Sequence, residues 1–222
     1  HLGHFYNWYD TQSLRPLNPR YVSTVDSGNL AGHLLTLRAG LVALPEQPIV
    51  AERLFDGLLD TALILIDAAP ENLHPLLQKL VTELTTASKT QPTSPADIQD
   101  TLILVVTSAT DMHAQFDALL DSEAGFWAHT FVRQAQAAQT ELLFLAPWLE
   151  QTSAPVGLVL PTDFHTIHNL YYLAENDSLF TAIDEQIATS GLEYQDWLQQ
   201  KRQLLMLGRE RARERIAQMH TL

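Results

Sequence analysis

The residues with the clearest chemical potential lie near the start of the chain, where aromatic rings alternate with carboxylates, amides and hydroxyls. Flat aromatic faces stack on sugar rings, and the polar groups exchange hydrogen bonds with sugar hydroxyls. This mixture favours a sugar-binding segment that runs directly into a helix. The candidate substrate-binding residues are Asn7, Trp8, Tyr9, Asp10, Thr24, Asp26, Ser27 and Asn29.

Asp10 and Asp26 form the most suggestive pair of carboxylates. Glycoside hydrolysis uses two carboxyl groups that stand roughly 5–10 Å apart across the scissile bond. Each residue also has a purely structural interpretation. Asp26 would complement the dipole in the first turn of a helix, and Asp10 would form a turn. A stand-alone hydrolase with these two residues as acid and base is therefore one hypothesis, and a structural role is the other.

Metal and cofactor chemistry has little support. Asp163, His165 and His168 are spaced so that they could meet at a helix start, but no further ligand lies nearby in sequence. The chain has no cysteine, which excludes disulfides and thiolate metal sites. It also lacks a glycine-rich phosphate loop and a nucleophile-elbow serine. We predict neither a metal nor an organic cofactor.

Composition excludes some partners. A net charge of −13 over 222 residues makes nucleic acid a poor partner, because phosphate binding needs clustered basic residues. The basic cluster near the end alternates with Glu210 and Glu214, so we interpret it as a solvated helix face and not as an anion or lipid patch. Its members are Arg209, Arg211, Arg213 and Arg215.

No apolar run reaches the roughly 18–20 residues that a membrane helix needs. The chain opens on His1 without a methionine or a signal peptide, so we expect an excised piece of a longer protein.

The rest of the chain is patterned for helices. Pro16 and Pro19 keep the opening extended, and Ser23 and Thr24 are good N-caps for a helix that ends near Pro45. Apolar residues then recur at steps of three and four, and no strand-like alternation appears. Further helices are predicted from about 50 to 69, 70 to 84, 98 to 119, 123 to 146, 165 to 174, 179 to 189 and 192 to 220, with loops at 85–95 and 151–161.

The predicted fold class is therefore all-α. We treat residues 1–222 as a single helical domain, in which residues 1–29 form the aromatic, sugar-site-like loop and residues 30–222 form an array of helical hairpins.

The opening segment resembles a known family. It reads GHFYNWYDTQSLRPLNPRYVSTVDSGNLAGHLLTLRAGL and is similar to the glycoamylase-like helical region of bacterial cyclic β-1,2-glucan synthases. That region lies between their glycosyltransferase and phosphorylase-like parts. The resemblance covers residues 3–44 and rests on two blocks in order, Asn-Trp-Tyr-Asp and Ser-Thr-Val-Asp-Ser-Gly-Asn.

The resemblance implies an (α/α)-toroid, of which these helices would form an incomplete ring. The first loop of such a barrel lines the sugar funnel, which would give Trp8, Asp10, Asp26 and Asn29 roles in substrate binding. The family's catalytic glutamates lie in later loops, and no counterpart occurs in this chain. The fragment is then expected to bind glucan without catalysing transfer.

The family also implies a location and partners: the cytoplasmic side of the bacterial inner membrane, within a membrane-anchored parent, with β-1,2-glucan and the parent's other domains as partners. An alternative is a helical assembly module without its own sugar site. Because an incomplete ring leaves apolar helix faces uncovered, we expect a homo-oligomer in either case.

Overall fold

The computed structural model describes residues 3–119, 121–151, 153–166 and 168–221. Within these ranges all regular secondary structure is helical, and extended pairing is confined to two isolated bridges, Tyr9 with Pro16 and Pro48 with Asn169. The predicted all-α fold class is confirmed. Nowhere in the described ranges is a helix both long and apolar enough to cross a membrane.

Eight α-helices follow one another along the described chain. They are α1 (Thr24–Ala43), α2 (Leu54–Ala68), α3 (His74–Thr90), α4 (Pro95–His113), α5 (Glu123–Leu145), α6 (Leu170–Glu175), α7 (Ser178–Thr189) and α8 (Leu192–His220). Short 3₁₀ turns lie at Leu44–Glu46, Glu71–Leu73, Ala114–Leu119, Pro147–Leu149 and Thr162–His165. The chain divides into two compact units, residues 1–44 with 218–222 and residues 45–217.

The core of the second unit is a closed set of four helices. Helix α2 packs on α3 and α5, and α4 packs on the same two helices, which is the neighbour pattern of a four-helix bundle. The predicted toroid is not confirmed by this pattern and stays a prediction. The buried side chains follow the helical period: Leu58, Ala62 and Leu65; Leu77, Leu80 and Leu84; Ile98, Leu102, Val105, Ala109 and Met112; Phe131, Ala135 and Leu142.

Serine caps define where two bundle helices begin. The Ser94 hydroxyl accepts a hydrogen bond from the Asp97 amide at 3.1 Å, and Pro95 occupies the first turn of α4. The Ser122 hydroxyl likewise accepts from the Gly125 amide at 3.2 Å at the start of α5. Each cap satisfies an amide that has no partner inside its helix, so the starts of α4 and α5 are encoded locally.

The predicted loop at residues 85–95 is wrong over most of its length. Helix α3 continues to Thr90, and Gln91 ends it in the left-handed conformation, with φ of 43°. The run is helical because Ala87 continues the buried face of Leu80 and Leu84, while the threonine hydroxyls are satisfied by the carbonyls one turn earlier. These bonds join Thr82 to Gln78, Thr85 to Val81, Thr86 to Thr82 and Thr90 to Thr86.

The interpretation of the arginines of α8 as a solvated face is also wrong. Helix ends leave carbonyl groups without intrahelical partners, and the negative end of the helix dipole lies there. Three arginines of α8 donate to such carbonyls at the ends of α5 and α6, and a fourth makes an ion pair with α5. The bonds run from Arg209 to the Asn176 carbonyl, from Arg211 to that of Phe144 and from Arg213 to that of Ala174, and Arg215 pairs with Glu141.

Close contact between α8 and the end of α5 depends on Gly208. A Cβ atom at this position would lie 2.8 Å from the Leu145 carbonyl oxygen and 2.8 Å from the Trp148 ring. At Gly57 in α2, by contrast, the nearest atom to such a Cβ belongs to Gln134, at 4.0 Å. Both glycines lie within helices, so the difference between them is one of packing and not of backbone conformation.

The two glycines are therefore expected to respond oppositely to alanine. Gly57→Ala should raise the free energy of unfolding by up to about 1 kcal/mol, because alanine is the better helix former. Gly208→Ala should lower it by about 1–3 kcal/mol, since the carbonyl oxygen and the ring must move. Urea unfolding followed by circular dichroism measures both, and equal shifts for the two variants would contradict the packing argument.

Lys201 is a buried cation without a carboxylate partner among the described residues. Its side chain is 6% exposed, and its Nζ lies 4.5 Å from the Trp197 ring centroid and 5.8 Å from that of Phe164. The Trp148 carbonyl accepts from Nζ at 3.4 Å. Burial lowers the pKa of Lys201 to about 8. The aromatic rings and one carbonyl thus replace only part of the lost hydration.

This lowered pKa makes stability depend on pH in a defined direction. Between about pH 8 and the ordinary lysine pKa of 10.5, the unfolded chain binds more protons, so the native state gains stability as pH rises. Lys201→Met removes this dependence. The unfolding free energy of the variant, relative to that of the unsubstituted chain, should therefore fall as pH rises across that window. Urea unfolding from pH 7 to 10 checks this, with exposed Lys89→Met as the control. A pH-independent difference for Lys201→Met would overturn the assignment.

Candidate functional site: the N-terminal aromatic recess

The start of α1 is built by its N-cap. The Ser23 hydroxyl accepts from the Asp26 amide at 3.1 Å, which places Asp26 in the first helical turn as predicted. The helix begins at Thr24, so Thr24, Asp26 and Ser27 belong to its first turn. A carboxylate here is stabilised by the positive end of the helix dipole.

Asn7 joins the aromatic loop to this helix start. Its side-chain oxygen accepts from the Ser23 amide at 2.8 Å, and its side-chain nitrogen donates to Asp26 Oδ2 at 2.5 Å. Its backbone amide donates to the Tyr21 carbonyl at 2.9 Å. One side chain therefore fixes both the N-cap and the carboxylate, and a shorter or apolar residue could not do both.

A recess of about 310 Å³ lies beside this junction. Four of the eight predicted residues line it: Asn7, Trp8, Asp26 and Ser27. Ser27 is buried, and its hydroxyl accepts from the Phe5 amide at 3.3 Å. Trp8 is 61% exposed, so much of its indole surface is available for stacking. We call this feature the aromatic recess.

The other four predicted residues do not line the aromatic recess. Tyr9 is exposed, and its hydroxyl accepts from the Tyr6 amide at 3.1 Å. Thr24 and Asn29 are exposed on α1. Asp10 organises its own turn, accepting from the amides of Gln12 and Ser13 at 3.2 and 2.6 Å.

Those bonds set the charge state of Asp10. The hydrogen bonds from Ser13, assisted by Gln12, stabilise the carboxylate and hold the pKa of Asp10 below its ordinary value. A catalytic acid needs the opposite shift, towards neutrality. The geometry of Asp10 therefore matches the turn-forming interpretation.

Three lining residues were missed by sequence reasoning: Phe5, Tyr6 and Leu30. Phe5 and Tyr6 belong to the same aromatic run as Trp8, and the guanidinium of Arg20 lies 6.0 Å from the Tyr6 ring centroid. Their membership of that run could have indicated them. Leu30 lies in the recess because it is one helical turn after Asp26, and with Leu34 and Leu37 it forms an apolar stripe along α1.

The apolar stripe of α1 is solvent-exposed. Leu34 and Leu37 are 50% and 57% exposed, and Ser27 is the buried residue of this helix. Cβ atoms added at Gly28 and Gly32 would meet nothing within 4 Å. The stripe is therefore an uncovered apolar surface and not a core-facing one.

The Asp163, His165 and His168 cluster has a structural role. The Asp163 carboxylate accepts from the hydroxyls of Tyr172 and Ser178, each at 3.0 Å. The His168 ring stacks on Tyr172 with centroids 3.7 Å apart. Across the described residues, no group of three or more histidine, cysteine or acidic side chains is placed to hold a metal ion.

Part of this chain is similar in sequence to a known enzyme. No protein-family model matches it. A segment of 70 residues is 47% identical to the cyclic beta-(1,2)-glucan synthase NdvB of Rhizobium meliloti (strain 1021). The match covers 31% of this chain and 2% of that protein. The chain is thus similar to a small piece of a much longer synthase, which supports the family resemblance; the region of the synthase to which it corresponds stays a prediction.

Proposed function

We propose that this chain is part of a cyclic β-1,2-glucan synthase, where the aromatic recess forms a section of the wall that holds the glucan. The observation that carries the proposal is the exposed Trp8 ring at a recess that Asp26 and Asn7 also line. The similarity to NdvB supports the choice of glucan.

The recess combines the two kinds of contact that sugars use. An indole face offers a stacking surface with little conformational entropy to lose, because the ring has only two side-chain torsions. Asp26 keeps acceptor capacity beyond its bond to Asn7, because a carboxylate has about four lone-pair sites. The hydrogen bond from Asn7 orients that carboxylate before ligand arrives, which lowers the entropic cost of binding.

Binding is better supported than catalysis by this chain alone. Asp26 lines the recess and Asp10 does not, so the two carboxylates do not face one common cavity. Asp10 is also held ionised by its turn. In the proposal, bond breaking and ring closure belong to other parts of a membrane-anchored parent on the cytoplasmic side, and this chain needs no metal or organic cofactor.

The first expected result is saturable binding of linear β-1,2-glucan, measured by titration calorimetry. Trp8→Ala and Asp26→Ala should each weaken it at least about tenfold, because they remove the stacking surface and the acceptor. Phe126→Ala is the matched control, since Phe126 lies on α5 and is also 61% exposed. If the folded, unsubstituted chain fails to bind glucan, or if all three variants lose affinity equally, the recess is rejected as a sugar site.

A second candidate function is assembly, and the open face of α1 favours it. Leu34 and Leu37 share that face with Leu30, which is 41% exposed. Apolar surface of this extent is usually covered by a partner. The partner would be a second copy of this chain or other domains of the parent.

The assembly proposal gives a separate prediction. The chain should form a homo-oligomer at micromolar concentration by light scattering, and Leu34→Glu should dissociate it because the charge would be buried at the contact. Val156→Glu is the control, since Val156 is 99% exposed outside α1. If the unsubstituted chain is a monomer, or if both substitutions dissociate the oligomer equally, self-association through α1 is contradicted.

A further inference from the structure

A second recess lies between α7 and α8, within residues 45–217, and the glucan proposal makes no use of it. It has a volume of about 250 Å³. We call it the arginine recess. Its lining residues are Phe180, Arg202, Met206, Arg209, Glu210 and Arg213.

The lining is basic although the chain is acidic. Arg202, Arg209 and Arg213 are seven and four residues apart, so they project from one side of α8 over three turns. With Glu210 they give the lining a formal charge of +2, in a chain whose net charge is −13. Outside the lining, Asp184 pairs with Arg202 at 2.6 Å and Asp177 with Arg209 at 2.9 Å.

These ion pairs and other protein contacts use some of the guanidinium donors. Arg202 gives Nε and one terminal nitrogen to Asp184, and its other terminal nitrogen lies 3.4 Å from the Met206 sulfur, a weak acceptor. One terminal nitrogen of Arg209 donates to Asp177 and the other donates to the Asn176 carbonyl. Arg213 gives its Nε to the Ala174 carbonyl at 3.0 Å.

Other donors remain without acceptors in the described part of the chain. The Arg209 Nε–H is buried and makes no hydrogen bond there. Arg213 is exposed, and its two terminal nitrogens make no hydrogen bond to the described residues, so they face solvent. A buried donor without an acceptor costs free energy, and a bound anion or water removes that cost.

The wall beside these donors is apolar. The Arg209 guanidinium lies 4.0 Å from the Phe180 ring centroid and that of Arg202 lies 5.9 Å from it. Stacking on a ring holds a guanidinium in place while leaving its edge free to donate. Phe180 and Met206 supply the apolar part of the lining, and charge-assisted hydrogen bonds are stronger beside apolar surface than in open water.

We propose that the arginine recess binds a phosphate group, either as free phosphate or as a small phosphate monoester. The donors without a protein acceptor belong to two guanidiniums, one bonded to the Asn176 carbonyl and the other to the Ala174 carbonyl, so a ligand that satisfies both must offer more than one acceptor oxygen. A tetrahedral phosphate presents oxygens in several directions, whereas a carboxylate presents two in one plane. Glu210 in the lining, and Asp184 and Asp177 beside it, oppose the anion and limit its affinity.

The test is a ³¹P NMR titration of the whole chain with inorganic phosphate, with sodium chloride added to keep ionic strength constant. Saturable binding is expected, at least about tenfold weaker in Arg213→Gln, which removes a charged donor. Glu210→Gln should strengthen binding several-fold, because it removes a like charge. Glu210 makes no hydrogen bond or ion pair in the described structure, so this variant leaves the fold intact.

Matched controls are Arg133→Gln on α5 and Glu214→Gln on α8, which are exposed and lie outside the recess. Both variants should bind phosphate with the same affinity as the unsubstituted chain. Phenyl phosphate in place of phosphate distinguishes the sources: tighter binding assigns the recess to organic monoesters, and equal binding assigns it to free phosphate. The absence of saturable binding, tighter binding of acetate, or an unchanged affinity in Glu210→Gln would overturn the proposal.

Discussion

The second unit depends on satisfying the carbonyl groups at the C-terminal ends of α5 and α6. Helix α8 does this from its side, through long arginine side chains that reach the carbonyls of Phe144, Ala174 and Asn176. Gly208 allows the helix backbone to approach the Leu145 carbonyl closely enough for that reach. Close approach and carbonyl capping are therefore one constraint, and they act together with the buried stripe of Leu198, Leu205 and Ala212 to hold this charged helix in place.

The same constraint shows why part of the fold was predictable and part was not. The bundle helices follow the apolar period and their serine caps, both of which are local signals, so the helices predicted at 98–119 and 123–146 correspond closely to α4 and α5. The arginines of α8 acquire their role from carbonyls far away in sequence; Arg211 and Phe144 are 67 residues apart. Periodicity contains no information about such a partner, and alternating charge alone indicated a solvated surface.

The candidate site shows a similar division. Residue types and family resemblance identified Asn7, Trp8, Asp26 and Ser27, all of which line the aromatic recess. Asp10 was expected beside them because it follows the same aromatic run. Its carboxylate instead accepts hydrogen bonds from the backbone amides two and three residues ahead. These local bonds form a turn and compete with any role in the recess. Short-range hydrogen bonds of this kind decide which polar residues of a motif remain open to a ligand.

The proposed glucan binding and the proposed assembly would be physically linked in the first unit. Asn7 fixes the aromatic loop to the N-terminus of α1, and the uncovered leucines belong to that same helix. Each leucine that a partner covers contributes roughly 1.5–3 kcal/mol if it becomes fully buried. A partner that covers α1 would thus hold the helix, and the loop attached to it, in one orientation. The aromatic recess would then gain its rigidity from assembly, because a stacking surface binds more tightly when its orientation is already fixed.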